Sequence, residues 1–243
     1  PTQYFASREE LLASYQGVRA TVDPLLPKLF SVKPKADFEI RLVEPFREAS
    51  SSSGSYQGPP QDGSRPGIFY VNAYDLKARP RYAMESLYLH EATPGHHFQI
   101  ALQRELTELP AFRRFGGETA YNEGWGLYAE SLGKELGVYT DPAMYFGALS
   151  AELWRSIRLV TDTGIHAKGW TRQQVLDFMY ANSAVEPAVA ISEAERFMAI
   201  PGQALAYKIG ELKIRELRTR AEKALGPKFD LRAFHTEVLK DGS

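Results

Sequence analysis

The sequence predicts a mainly α-helical fold with a small β-hairpin placed ahead of a cluster of histidines. Apolar residues recur at helical spacing along most of the 243 residues, and glycine or proline separates the segments. Strand-like patterns are confined to Phe38–Leu42, which alternates apolar and polar residues, and Gly67–Tyr74, which is β-branched and aromatic. The segment Ala49–Pro66 is rich in Ser, Gly and Pro, so we expect a mobile loop that joins these strands into the hairpin.

The first helix is expected at 8–29, with Ser7 as its N-cap and Pro24 and Pro27 at its end. Thr171 and Ser192 are further candidate N-caps, and Pro142 suits a first helical turn. Helix-breaking pairs such as Pro94-Gly95 and Pro201-Gly202 set the ends of the other predicted helices. We expect one mostly helical domain over 1–243, with helices at 81–92, 96–108, 118–137, 142–167, 171–182, 191–200, 202–225 and 230–239.

The composition excludes several classes of protein. Lys plus Arg is 29 and Asp plus Glu is 30, so the net charge of −1 argues against a nucleic-acid or anionic-membrane partner. No apolar run is long enough to span a bilayer. Because the chain has no cysteine, disulfide scaffolds, Fe–S clusters and Cys nucleophiles are excluded, and a metal must be held by His, Asp or Glu.

Three of the five histidines fall in the segment Leu87–Gln99, where His90 and Glu91 precede His96 and His97. The zinc-hydrolase motif H-E-x-x-H is not present, because Pro94 stands four residues after His90. Proline cannot bond to the His90 carbonyl, so the helix must bulge or break there. If Pro94-Gly95 loops out, His96 takes the place of the second ligand, and His97 is the reserve.

A third ligand is expected from the segment 121–130, where Glu123 and Glu130 share a helical face. We favour Glu123 as the ligand and Glu130 as a residue that orients a ligand from behind. The alternative is that Glu123 and Glu130 are ordinary solvated charges on the protein surface. Gly124 and Gly126 each cost about 1 kcal/mol in a helix, so close approach of another helix or a substrate must compensate.

Two later segments carry polar residues on apolar helices. Arg155, Arg158, Asp162 and His166 recur at spacings of three and four. This stripe is either the solvated face of the helix or the wall of a cleft that binds a carboxylate or an oxyanion. Gln203 and Tyr207 lie on the helix that starts at Pro201-Gly202, and Tyr207 is either packing or an oxyanion donor.

Four ordered segments, HEATPGHH, YNEGWGLYAE, RLVTDTGIHAKGW and PGQALAYKIG, resemble the bacterial family catalogued as domain of unknown function 885. The resemblance runs from about Gly67 to about Arg218 and is weaker before that. Members of this family are typically about twice as long. We therefore expect the chain, which starts at Pro1, to be the C-terminal half of a longer protein, with its own N-terminal half as a possible partner.

This family is similar to the gluzincin zinc peptidases, and the resemblance implies a site. By position, His90, His96 and Glu123 would bind one Zn²⁺, and Glu91 would be the base. Tyr207 would donate to the oxyanion, and His166 would assist. His97, Glu130 and Asp162 are second choices as ligands or as residues that support them.

The predicted function is zinc-dependent hydrolysis of a peptide or small amide. The strand 67–74 would pair with an extended peptide along its edge, with Asn72 and Tyr74 as contacts. Arg155 or Arg158 would clamp a C-terminal carboxylate. The alternative is a non-catalytic metal-binding or structural domain of a larger bacterial envelope protein. Localisation stays open between the bacterial periplasm or envelope and the cytoplasm.

Overall fold

The computed structural model describes residues 3–243 and confirms the mainly α-helical fold. The helices are α1 (Arg8–Val22), α2 (Met84–Glu91), α3 (His96–Arg104), α4 (Ala111–Phe115), α5 (Thr119–Ser131), α6 (Gly133–Leu136), α7 (Pro142–Lys168), α8 (Arg172–Asn182), α9 (Pro187–Ala199), α10 (Gln203–Leu225) and α11 (Leu231–Leu239). The strands are β1 (Phe38–Leu42), β2 (Gly54–Gln57) and β3 (Gly67–Val71). No helix among the described residues is both long and apolar enough to cross a membrane.

Several helix limits follow directly from local sequence. The Ser7 side chain accepts a hydrogen bond from the Glu10 amide and caps α1, which gives way to a 3₁₀ turn, Asp23–Lys28, where the prolines begin. Thr171 and Gln174 form a reciprocal capping box at the start of α8. The Ser192 N-cap prediction is wrong, because Pro187 occupies the first turn of α9 and starts that helix earlier.

The sheet corrects the predicted hairpin. Strands β1 and β3 are both present, but they pair in parallel, and the antiparallel partner of β3 is β2. Strand β2 lies inside the segment 49–66 that was expected to be a loop. Its sequence, GSYQ, has a single large apolar residue, Tyr56, so alternation could not reveal it.

The strand order β1-β3-β2 places β3 in the centre of the sheet. All five of its residues are buried, which is the reason for its continuous apolar sequence. Because β3 is paired on both sides, it has no free edge for a peptide, and the predicted edge pairing along 67–74 is wrong.

The main core forms around α5, which packs against α2, α3, α7 and α10. Trp125 and Tyr128 of α5 are buried there together with Tyr88 of α2 and Phe98 of α3. A second cluster joins α7, α8 and α9 through Ile157, Met179 and Phe197. The structure thereby fixes α2, α3, α5, α7 and α10 relative to one another, and these five helices carry the polar residues considered next.

Candidate metal centre

A break between α2 and α3 brings two histidines together. The chain leaves the helical conformation at Ala92 and resumes it at His96, so the segment around Pro94 breaks the helix rather than bulging from it. A Cβ on Gly95 would lie 1.9 Å from the His90 carbonyl oxygen, so the break requires glycine at this position. The His90 and His96 rings meet edge to face, with centroids 4.6 Å apart.

Glu123 of α5 completes a group of three, which we call the His–His–Glu triad (His90, His96 and Glu123). Its Oε2 lies 3.5 Å from His90 Nε2 and 3.3 Å from His96 Nε2. This oxygen is buried and has no hydrogen-bond partner within residues 3–243. The potential ligand atoms of the triad lie within 4.8 Å of one another, so one ion can contact all three.

Glu130 fixes the orientation of His90 from behind. His90 Nδ1 donates to Glu130 Oε1 over 2.7 Å, and the same carboxylate accepts bonds from Ser86 Oγ and from Arg155 Nη2, the latter over 2.9 Å. Since Nδ1 is occupied by this bond, Nε2, on the side of Glu123, is the ring nitrogen of His90 that can bind a metal ion. By contrast, Nδ1 of His96 has no hydrogen-bond partner in the described part of the chain, so no neighbour selects its tautomer.

The electrostatics of the metal-free triad follow from burial opposed by ion pairing. Burial disfavours the charge on His90, but the carboxylates of Glu123 and Glu130 outweigh it and raise the pKa of His90 to about 9. Burial acts in the same way on Glu123, yet His90 and His96 hold its pKa well below the ordinary range. The metal-free triad therefore favours a positively charged imidazole beside an ionised carboxylate.

Glu91 is the last residue of α2 and is buried beside the triad. Burial raises its pKa, while the neighbouring imidazoles of His96 and His90 oppose that shift. No hydrogen bond engages its carboxylate among residues 3–243, in contrast to Glu130. A carboxylate with a raised pKa and free oxygens is suited to accept a proton.

Tyr207 and Gln203 of α10 close the site on another side. The Tyr207 ring stacks over His90, with centroids 6.0 Å apart and planes at 22°. Gln203 Nε2 donates to the Tyr207 hydroxyl over 3.1 Å and to Glu123 Oε1 over 3.2 Å. Burial raises the pKa of Tyr207, so its hydroxyl keeps the proton that a donor needs.

Two of the histidines predicted as site residues, His97 and His166, lie apart from the triad. His97, the reserve ligand, points into the core, where its Nδ1 bonds the Tyr56 hydroxyl over 2.9 Å and its ring contacts Phe38. Burial lowers the pKa of His97 to about 4. His166 is exposed on α7, and its Nε2 donates to the Phe197 carbonyl over 2.9 Å, away from Tyr207.

Two other residues predicted for the site, Asp162 and Asn72, bond the protein backbone instead. Asp162 Oδ2 accepts the Gly202 amide over 3.2 Å and so positions the start of α10. The Asn72 amide donates to the carbonyls of Glu48 and Ser51, both over 2.8 Å, and its oxygen accepts the Tyr74 amide. The Asn72 side chain is thus fully used within the protein, whereas the Tyr74 ring is 63% exposed.

The arginine stripe of α7 faces the surroundings of the triad rather than bulk water. Arg155 pairs with Glu130, and Arg158 pairs with Glu193 of α9 over 2.6 Å. The Arg158 guanidinium carbon lies 4.7 Å from the centroid of the Tyr207 ring. Helical spacing of three and four predicted that these residues share a face, but only the packing of α9 and α10 decides what that face meets.

Both glycines of α5 lie where a neighbouring group approaches the helix too closely for a side chain. A Cβ on Gly124 would lie 2.4 Å from Cα of Gly210, where α5 and α10 cross. A Cβ on Gly126 would lie 2.7 Å from Cε1 of His90. The cost of these two glycines to the helix is therefore offset by close packing. Gly124 allows α5 and α10 to cross, and Gly126 leaves room for the His90 ring.

Sequence reasoning missed three residues of this network, Ser86, Glu193 and Arg196, and it named Gln203 without its bond to Glu123. Ser86 lies four residues before His90 on α2, so helical spacing could have indicated it. Glu193 and Arg196 are also on one face of α9, and Arg196 Nη1 donates to Gln203 Oε1 over 2.8 Å. Glu193 and Arg196 come close to the triad only because α9 packs against α7, and no local sequence pattern predicts that packing.

The fold and the site define the class as a mainly α-helical protein that carries a largely buried His–His–Glu group. The sequence model described as "Bacterial protein of unknown function (DUF885)" matches residues 1–243, and the chain belongs to that family. The match extends through the N-terminal part of the chain, where the resemblance was weaker. No curated protein matches the sequence.

Two solved structures share the fold. A chain described as a putative lipoprotein from Colwellia psychrerythraea is 43% identical and superposes with a TM-score of 0.97, covering 100% of this chain and 42% of its own. A second, described as a putative lipoprotein of unknown function from Shewanella oneidensis, has 23% identity and a TM-score of 0.82 over 98% of this chain and 44% of its own. The chain thus spans less than half the length of both.

Proposed function

We propose that this protein is a zinc-dependent hydrolase of peptide or amide bonds, with the His–His–Glu triad as its zinc site. The convergence of two imidazole nitrogens and one unpartnered carboxylate oxygen carries this proposal. Two His and one Glu are a ligand set of catalytic zinc in proteases, and nitrogen and oxygen donors suit this metal. The residues of the triad therefore fit the ion, and the similarity to gluzincin peptidases that the motifs imply agrees with it.

When bound, zinc supplies a Lewis acid that polarises a carbonyl and makes water acidic enough to attack near neutral pH. In this proposal Glu91 accepts the proton of the attacking water and passes it to the leaving nitrogen. The Tyr207 hydroxyl donates a hydrogen bond to the oxyanion that develops on the substrate. Glu130 keeps the His90 ring in the orientation that this chemistry needs.

The proposed setting is the bacterial envelope, because both similar structures are described as putative lipoproteins. An extended peptide would find its backbone partner at the outer edge of β2 rather than on β3. Strand β2 packs against α2 and α3, which carry His90 and His96.

The test combines metal analysis with hydrolysis of a mixed peptide library followed by mass spectrometry. The wild type is expected to take up one zinc per chain and to cleave peptides. Glu91→Gln is expected to keep its zinc and to lose activity about 10²-fold to 10⁴-fold. Glu85→Gln is the matched control, since Glu85 is another partly buried glutamate of α2 and bonds the Tyr139 amide instead. A wild type that gains no zinc on dialysis, or an active Glu91→Gln, overturns the proposal.

A second candidate function is that of a non-catalytic metal-binding or structural domain. One observation favours it: a groove of about 670 Å³ lies between α5, α10 and α11, and no triad residue lines it. Zinc uptake by a wild type that leaves the whole peptide library intact would support this candidate over the hydrolase.

A further inference from the structure

Arg158 of α7 is a buried polar residue whose hydrogen-bonding capacity is only partly used. It is 8% exposed, and its Nη2 is paired with Glu193, but Nε and Nη1 have no hydrogen-bond partner within residues 3–243. A buried guanidinium with unused donors is costly unless an acceptor reaches it. A ligand that brings its own acceptor oxygens would supply the missing partners of these donors.

Arg158 belongs to a cluster of three arginines. Arg155 and Arg196 lie beside it, while the carboxylates that pair with the three arginines belong to Glu130 and Glu193. Arg155 Nε is also buried without a partner in the described chain. Because these guanidinium donors lack acceptors, the ligand that fits them is an anion with two acceptor oxygens, such as a carboxylate.

The position of Arg158 relates it to the triad. Its guanidinium carbon lies 4.7 Å from the Tyr207 ring centroid, and the His90 ring lies 6.0 Å from the same point. The two groups are thus at most about 11 Å apart, the span of roughly three extended residues. An anion on Arg158 can therefore belong to the same peptide whose amide reaches the triad.

We propose that Arg158 binds the free C-terminal carboxylate of the substrate, so that the protein cleaves short peptides within one or two residues of their C-terminus. The cleavage in this inference rests on the proposed hydrolase function, whereas the binding of a carboxylate to Arg158 does not depend on it. Arg155, by contrast, is a positioning residue, because its guanidinium is paired with the carboxylate that orients His90.

The binding test uses two probes that differ only in the C-terminal group, N-acetyl-L-alanine with a carboxylate and N-acetyl-L-alaninamide with an uncharged amide, titrated into the full chain and followed by ligand-observed NMR. We expect the acid to bind at least tenfold more tightly than the amide, with and without zinc. Arg158→Gln is expected to remove this preference. Arg172→Gln, which removes an exposed arginine paired with Glu195, is expected to keep it.

Two further variants protect the test against misfolding of Arg158→Gln. Arg158→Lys keeps the charge but not the planar donors and is expected to weaken acid binding several-fold. Glu193→Gln removes a competing carboxylate and is expected to tighten it. Equal binding of acid and amide by the wild type, or an unchanged preference in both Arg158 variants, overturns the inference.

The two proposals fail separately. If the acid is preferred but neither zinc binding nor hydrolysis occurs, the hydrolase proposal fails and the carboxylate site stands. If zinc-dependent hydrolysis occurs equally on free and amidated peptides, the carboxylate site fails and the hydrolase stands.

Discussion

Replacing Gly126 with alanine tests the packing that seats His90. In an ordinary helix interior this change stabilises a protein by about 0.5–1 kcal/mol. Here the added Cβ would lie 2.7 Å from Cε1 and 2.9 Å from Nε2 of His90, whereas ordinary contacts begin near 3.4 Å. The ring must therefore retreat by about 0.7 Å, which is several times the tolerance of roughly 0.2 Å on a metal–ligand distance.

The same displacement strains the bond between His90 Nδ1 and Glu130, which is 2.7 Å long. We expect zinc affinity to fall about 10-fold to 100-fold, as it does when residues that orient a metal ligand are disturbed. Overpacking offsets the gain in helix propensity, so the zinc-free protein should be equal to the wild type or up to about 2 kcal/mol less stable. Urea unfolding with and without zinc measures both effects, since each tenfold loss of affinity removes about 1.4 kcal/mol of zinc-dependent stabilisation.

Gly17→Ala is the matched control. Gly17 lies inside α1, and an added Cβ there meets no atom within 4 Å, so this variant should gain the usual propensity and bind zinc as the wild type does. If Gly126→Ala binds zinc with wild-type affinity and is more stable than the wild type, the argument from close packing against His90 is refuted.

Two other variants test the groups around the core. Glu130→Gln keeps the shape of the side chain but removes the charge that His90 and Arg155 share, and we expect zinc affinity to fall about 10-fold to 100-fold in a competition titration with a chelator; unchanged affinity would show that Glu130 does not orient His90. Burial lowers the pKa of His235 to about 4, where its ring bonds the Leu29 carbonyl and the Tyr128 hydroxyl. The unfolded chain binds this proton near pH 6.5 and the folded chain only near pH 4, so the contribution is complete above pH 6.5 and is lost as the pH falls, by about 3 kcal/mol at pH 4. Urea unfolding across this range should therefore show a shallower acid loss in His235→Gln than in the wild type, and parallel curves would contradict the assignment.

The local sequence was sufficient to predict most of the helices and the two longest strands. Apolar periodicity and breakers gave the bounds of α7, α8, α10 and α11 to within one or two residues, because those segments bury one face and end at Gly, Pro or a capping side chain. It missed β2 and α4, which are too short to show a period. It also paired β1 with β3 as a hairpin, since strand direction is set by the path of the chain between strands and leaves no mark in either one.

For the candidate centre, residue types and spacing were enough to choose His90, His96 and Glu123. The proline at position 94 excluded a continuous helix, and the lack of cysteine restricted any ligand to His, Asp or Glu. The same reasoning could not place His97, because its ring direction depends on Tyr56 from a strand that the pattern did not reveal. Metal binding itself stays a prediction.

The sequence by itself determined the helical class, the family and the residues that form the triad, since these depend on local periodicity and on which side chains are present. Only the tertiary structure decided which partner each polar group meets. Each of these contacts joins side chains of different helices. Glu130 of α5 bonds His90 of α2, and Gln203 of α10 bonds Glu123 of α5. The unpartnered donors of Arg158 belong to α7. These contacts arise where α5 and α10 cross at a glycine-sized distance and where α7 packs against both, and such distances are set by packing of the whole domain.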